Sequence, residues 1–277
     1  MPPGFGANPK ETIMTVLHGK TVIVTGAARG LGRAMAAGLA RAGANVVGVD
    51  LPGQPELDHA AKEIGAAFLP MPANITDARE CARIVDAGRA RFGAIHALVN
   101  NAGVGMQLIN PHFASEPTRF WQLTPEQYRN TMENNTTTQF LMARAVAPTM
   151  IAQQWGRIIN ITTSFGTMVM AGFTPYGPSK AAAEATASIM AKDLAGTGVT
   201  ANVLIPGGPA DTRMVTDDRS FPDRTRLVQP AKMVAPLVWL VSDESNGVTG
   251  RRFIAQSWDE ALPAAAAAAI ASGPVAW

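Results

Sequence analysis

A chain of 277 residues with 47% hydrophobic and 16% charged side chains can bury a sheet on both faces, which excludes a disordered chain and fits one domain with decorations. The formal net charge of +2 comes from scattered arginines, and the densest stretch, Arg213 to Arg226, is broken by Asp217, Asp218 and Asp223, so nothing points to nucleic acid. The single cysteine, Cys81, allows no internal disulfide and has no His or second Cys at ligand spacing, which argues for a reducing compartment and gives no metal site.

The chain opens on a Pro/Gly-rich stretch, Met1 to Lys10, without the basic and long apolar regions of a signal peptide, and residues 1–18 are read as a flexible leader. No apolar run reaches the about 18 residues of a membrane helix, so a soluble cytoplasmic protein is expected. Lys20 to Thr25 is a short β-branched run of the kind buried in a parallel sheet. It ends in Thr25-Gly26-Ala27-Ala28-Arg29-Gly30-Leu31-Gly32, and Arg33 to Ala42 follow at helical spacing. Glycines there let the backbone turn tightly and approach a pyrophosphate, whose charge suits the free N–H groups of the next helix. Ala44 to Asp50 reads as a second strand, ending in an acid about 20 residues past the loop, where a ribose 2′-hydroxyl is expected. Asp50 therefore points to NAD rather than NADP, with Arg29 the one residue that argues the other way.

A third strand, Ala67 to Met71, runs into Pro72-Ala73-Asn74-Ile75-Thr76-Asp77 and a helix from Ala78 to Arg91. The fourth, Ala94 to Asn100, breaks into Asn100-Asn101-Ala102-Gly103 at a carboxyl end, where open sheets bind ligands. After a long loop, Thr124-Pro125 reads as an N-cap with Pro at the first helical position, opening a helix to about Gln153 that carries Asn134 and Asn135 at poor positions for a helix. Arg157 to Thr163 is the fifth strand, followed by Ser164-Phe165-Gly166. A helix from Tyr176 to about Ala195 places Tyr176 and Lys180 four residues apart on one face. A nearby ammonium favours a phenolate, so Lys180 is expected to lower the pKa of Tyr176 and make it a usable acid and base. Val199 to Ile205 is the sixth strand, ending in Pro206-Gly207; Ala231 to Val241 reads as a helix and Arg252 to Ala255 as a seventh strand. Residues 257–277 form an Ala-rich tail in which no chemistry is legible.

With these pieces in order, the chain resembles the short-chain dehydrogenase/reductase family over roughly Gly19 to Ile254. The motifs that carry the resemblance are Thr25-Gly26-x-x-x-Gly30-x-Gly32, Asn100-Asn101-Ala102-Gly103, Asn135, a hydroxyl residue before Gly166, Tyr176-x-x-x-Lys180 and Pro206-Gly207. The resemblance implies an α/β fold, a single doubly wound Rossmann-type parallel sheet of about seven strands over residues 19–256, with a dinucleotide across the strand ends and a homotetramer or dimer. It implies cofactor contacts from Gly26, Arg29, Gly30, Leu31, Gly32, Asp50, Asn74, Ile75, Asn101, Ala102, Gly103, Tyr176, Lys180, Pro206 and Gly207. The catalytic set it implies is Asn135, Thr163, Tyr176 and Lys180: Tyr176 moves the proton, Lys180 tunes it and holds the nicotinamide ribose, and the Asn135 backbone carbonyl anchors a water leading to solvent.

Two positions depart from the family. Counting back thirteen residues from Tyr176 lands on Thr163 where serine is usual, flanked by Thr162 and Ser164, and Asn74 stands where an aspartate is usual. Met106, Phe113, Phe120, Trp121, Met168, Met170, Phe173, Met214 and Phe221, in loops near the carboxyl edge, suggest an uncharged, hydrophobic secondary alcohol or ketone as small-molecule substrate. The alternatives are a 3-hydroxyacyl-thioester dehydrogenase or reductase of the same family, and a non-catalytic dinucleotide-binding sensor.

Overall fold

The computed structural model describes residues 16–216, 220–221 and 223–276. Of the expected leader, residues 1–15 lie outside these, while Leu17 is fully buried and its N–H bonds to the Ala42 carbonyl at 2.9 Å. Eight strands make one sheet in the order β3-β2-β1-β4-β5-β6-β7-β8. They are β1 (Thr21–Thr25), β2 (Asn45–Asp50), β3 (Phe68–Pro72), β4 (Ala97–Asn100), β5 (Gly156–Ile161), β6 (Val199–Ile205), β7 (Arg251–Ile254) and β8 (Ser272–Pro274). The first seven are parallel; β8, from the Ala-rich tail, runs antiparallel along β7 and adds a strand to the seven expected.

The helices are α1 (Gly30–Arg41), α2 (Pro55–Ile64), α3 (Ala78–Phe92), α4 (Pro125–Met132), α5 (Thr138–Ala152), α6 (Phe165–Met168), α7 (Tyr176–Asp193), α8 (Val234–Val241) and α9 (Ala264–Ala271). Alternation along β1 sorts them into two layers. Val22 and Val24 face a core closed by Met35 and Leu39 of α1, Leu237 and Leu240 of α8 and Ala267 of α9. Ile23 faces the opposite core, with Ile84 of α3 and Met142 and Val146 of α5. Both faces of the sheet are thus covered, which is why its strands read as continuous apolar runs.

The sequence predicts one helix from Thr124 to Gln153. Thr124 does cap it, its Oγ1 accepting from the Gln127 N–H at 3.2 Å while Gln127 Oε1 accepts from the Thr124 N–H at 2.9 Å. Between α4 and α5, however, Glu133 to Thr137 form a π-helical turn that contains Asn134 and Asn135. The extra residue explains how two poor helix formers sit in mid-helix, since such turns re-aim side chains at functional positions. Strand order reverses between β1 and β4, and the crevice at their carboxyl ends is where an open sheet of this kind takes a ligand.

Gly48 on β2 shows how tightly the first core is packed: a Cβ built there would lie 2.0 Å from Cζ of the Phe68 ring. Gly48→Ala is expected to destabilise the fold by about 1–3 kcal/mol in urea unfolding, and Phe68→Leu in the same chain is expected to restore part of the loss.

Candidate active site

Every site residue expected from the sequence except Gly32 and Asn135 lines one cavity of about 680 Å³ at the carboxyl ends of the strands. Those two stand behind its wall, where each sets the position of a lining segment. A Cβ on Gly32 would sit 2.0 Å from the Gly26 carbonyl oxygen, so only glycine lets α1 start against the loop. Gly26 and Gly30 hold φ of +68° and +57°, the left-handed region that favours glycine. Arg29 at the N-cap of α1 makes no side-chain cap, which leaves the first-turn N–H groups open to an anion.

The loop is tied to the end of β4. Thr25 Oγ1 accepts from the N–H groups of Asn101 and Ala102 at 2.9 and 3.0 Å, and Asn101 Nδ2 donates to the Thr25 carbonyl at 2.9 Å. At the end of β2, Asp50 Oδ2 accepts from the Ala28 N–H and Oδ1 from the Leu51 N–H, both at 2.9 Å. A carboxylate has about four acceptor sites, so capacity remains for ribose hydroxyls. Arg29 is drawn to Gln54, its Nη1 donating to Oε1 at 2.9 Å. The Asn74 amide oxygen accepts from the N–H and hydroxyl of Thr76 at 3.2 and 3.0 Å, while Ile75 lines the cavity beside it. These residues form a cradle that fits a dinucleotide: glycines without room for a Cβ, an uncapped helix start and a carboxylate with free lone pairs.

At the other end, Tyr176 and Lys180 open α7. Lys180 is 4% exposed and donates to the Ile161 carbonyl at 3.1 Å, with its Nζ 5.9 Å from the centroid of the Tyr176 ring. Burial lowers Lys180 to about 8 and pushes Tyr176 up to about 12, with the Thr163 hydroxyl pulling Tyr176 the other way. In this structure loss of water around the phenol is the dominant effect on Tyr176, while the Lys180 ammonium is directed at the Ile161 carbonyl.

Beyond the end of β5, Thr162, Thr163 and Ser164 all line the cavity, and their hydroxyls differ in the partner each one takes. The Thr162 hydroxyl donates at 2.7 Å to Glu184, which stands outside the cavity lining. Ser164 caps α6, accepting from the Thr167 N–H at 3.2 Å. Thr163 is the one of the three whose hydroxyl hydrogen-bonds Tyr176. Asn135, fully buried, clamps the loop after β4: its Oδ1 accepts from the Val104 N–H at 2.7 Å, and its Nδ2 donates to the Val104 carbonyl and to Ser179 Oγ, each at 2.9 Å. A Cβ on Gly103 would meet Asn135 Oδ1 at 2.8 Å and Lys180 Nζ at 3.5 Å, so this glycine keeps the space between them open.

Of the apolar residues expected at the substrate end, Met106, Phe113, Met170, Phe173, Met214 and Phe221 line the cavity. Phe120, Trp121 and Met168 do not. Phe120 and Trp121 pack edge-on against each other at 68% and 70% exposure, and Met168 is buried under Gly177. Gln107 also lines the cavity and has no sequence signal; its amide oxygen is buried without a protein partner. Cys81 takes no part, because burial pushes its thiol up to about 11 and its Sγ donates to the Ile75 carbonyl at 3.4 Å. Among the described residues, no cluster of three or more His, Cys, Asp or Glu could hold a metal, and no helix is long and apolar enough to cross a membrane.

The family model for short chain dehydrogenases matches residues 20–223. The chain belongs to the short-chain dehydrogenase/reductase family. It is 30% identical over 244 residues to the 3-oxoacyl-(acyl-carrier-protein) reductase FabG of Salmonella typhimurium, covering 84% of this chain and 94% of that one. It is 33% identical over 257 residues to an NADPH-dependent aldehyde reductase-like chloroplastic protein of Arabidopsis thaliana, covering 85% and 92%. Among solved structures, the 3-ketoacyl-(acyl-carrier-protein) reductase of Brucella melitensis complexed with NADH superposes with a TM-score of 0.74 at 27% identity, covering 84% of this chain and 95% of that one. This member of the family is accordingly an oxidoreductase with a nicotinamide-dinucleotide site.

The buried ammonium has a consequence for stability. A lysine whose folded pKa is about 8, against about 10.4 unfolded, opposes folding below pH 8, and that opposition fades as pH rises from 8 to above 10. Lys180→Met is expected to raise stability at pH 7 by on the order of 1–3 kcal/mol. Urea unfolding at pH 7 and pH 10 checks this, with the gain shrinking at the higher pH.

Proposed function

We propose that this enzyme transfers a hydride between NAD(H) and an uncharged, largely apolar secondary alcohol or ketone, with Tyr176 as general acid and base. The observation that carries the reading is the convergence of Tyr176, Thr163 and Lys180 on the apolar end of the cavity that also contains the glycine loop and Asp50. The nicotinamide, when bound, supplies or takes up the hydride. In reduction, Tyr176 gives its proton to the substrate oxygen, and the Thr163 hydroxyl donates a hydrogen bond that strengthens as charge develops there. The Lys180 ammonium favours the phenolate left behind. Asn135 is assigned the water that links Lys180 to solvent, a role supported by the π-helical turn around it, which interrupts the regular backbone ladder.

Asp50 supports NAD over NADP, because a 2′-phosphate would meet its carboxylate while the nearest cation, Arg29, is drawn to Gln54. A second reading, reduction of a 3-oxoacyl thioester, is favoured by the names of two relatives. Against it, the cations of the described lining are Arg29, Lys180 and Arg213, and Arg213 pairs with Glu56 of α2 at 2.9 Å, so none is free at the substrate end. A panel of ketones, alcohols and an acetoacetyl thioester with NAD(H) and NADP(H), read by nicotinamide absorbance, separates the readings. A sensor would turn over none of them.

Tyr176→Phe is expected to remove turnover while NADH binding, followed by its fluorescence, stays within about twofold. Thr163→Val is expected to lower kcat roughly a hundredfold or more, the loss of about 2.7–4 kcal/mol seen for an oxyanion donor, whereas Ser164→Ala retains turnover. Parental activity in Thr163→Val with loss in Ser164→Ala would move the role to Ser164. For the cofactor, Asp50→Ala is expected to erode the preference for NADH over NADPH in steady-state kinetics; a parent enzyme that favours NADPH refutes the assignment.

A further inference from the structure

Behind the proposed catalytic wall lies an ion pair that the chemistry above does not use. Glu184, on the same face of α7 as Tyr176 and Lys180 at successive steps of four residues, is fully buried. Arg252 of β7, 5% exposed, places Nη1 2.8 Å from both Glu184 oxygens. Two further donors complete the carboxylate: the Thr162 hydroxyl at 2.7 Å and, from the tail just past β8, the Ala276 N–H at 3.4 Å. The second arm of the guanidinium, Nη2, donates to the Thr163 carbonyl at 2.6 Å, and its plane lies over the Phe165 ring with Cζ 4.0 Å from the centroid.

We infer that Glu184 and Arg252 are positioning residues for Thr163, an inference that rests on the substrate-orienting role given to Thr163 above. The hydroxyl of Thr162 is pulled to the rear by Glu184, the carbonyl of Thr163 is held by Arg252, and the carbonyl of Ile161 is held by Lys180. The last paired residue of β5 and the two residues that follow it are thereby fixed by three charged side chains. With the backbone at Thr163 held from behind, its side chain has one direction left, into the cavity beside Tyr176. An apolar pair would fill the same volume but leave that backbone free to rotate. Only a planar fork serves a carboxylate and a carbonyl together, which specifies arginine rather than lysine at position 252.

The test is a double-mutant cycle between Arg252→Lys and Thr163→Ala, with kcat, KM for the ketone and NADH affinity measured for each protein. Arg252→Lys is expected to lower kcat about tenfold with ketone KM and NADH binding nearly unchanged, and to change kcat less than twofold when Thr163 is already alanine. Equal factors in both backgrounds, or parental kcat in Arg252→Lys, would overturn the inference. Failure of the underlying reading looks different, since Thr163→Ala alone would then keep parental turnover. A second comparison separates positioning from folding: Glu184→Met with Arg252→Met replaces the buried pair by apolar residues of similar volume, a change that cores tolerate. This protein is expected to melt within a few degrees of the parent yet lose at least tenfold in kcat. Parental kcat in it counts against positioning, and if it does not fold, the Arg252→Lys cycle decides alone.

Discussion

The buried ammonium of Lys180 is the constraint on which the rest of the site depends. Removing a cation from water is unfavourable unless acceptors replace the solvent, and the acceptor here is the Ile161 carbonyl, the last residue of β5. That contact fixes the start of α7 against the end of β5. It also dictates what surrounds it: Asn135 reaches in through a π-helical turn to hold Ser179 and Val104, and Gly103 leaves the space between amide and ammonium open. The same burial that depresses Lys180 raises Tyr176, so exclusion of water shifts both members of the pair.

Much of this was legible in the sequence wherever the signal is local. Runs such as Thr21 to Thr25 and Val199 to Ile205 are buried on both faces and show it in their composition. The glycine loop is readable because each glycine answers a backbone need inside one turn. Relations between distant segments left no such trace. Glu184, Arg252 and Thr162 lie 22 to 68 residues apart from one another in the contacts that join them, and each alone looks like an ordinary helix or strand residue. The eighth strand was hidden for a related reason: Ser272 to Pro274 has no β-branched residue and is a strand only because β7 offers an edge. Phe120 and Trp121 show the reverse error, since composition gives apolar character but not the direction a loop takes.

The two ends of the cavity are coupled by polar side chains that bind the backbone of the loops between them. Thr25 and Asn101 lock the glycine loop to the end of β4, and the loop that continues from Gly103 is clamped at Val104 by Asn135, which in turn bonds Ser179 on α7. The glycine loop and the Tyr176 helix are therefore linked by hydrogen bonds at either end of the short segment from Asn101 to Val104.

That linkage matters because α7 has little else to set its rotation. Its buried face consists of Gly177, Ser179, Ala183, Ala187 and Ala191 beside the two charged residues, Lys180 and Glu184. Small side chains let the helix lie close to β6, with Ala187 against Val203 and Ile205, and a Cβ at Gly177 would already collide with the Met168 carbonyl at 2.3 Å. An alanine methyl contributes about 0.8 kcal/mol when buried, and a row of them is smooth: rotating the helix by a few degrees costs little packing. Breaking a buried charge pair costs about 3–5 kcal/mol. The angular aim of Tyr176 is thus fixed by polar contacts, Lys180 to Ile161, Asn135 to Ser179 and Glu184 to Arg252, on a helix whose apolar surface supplies proximity without direction.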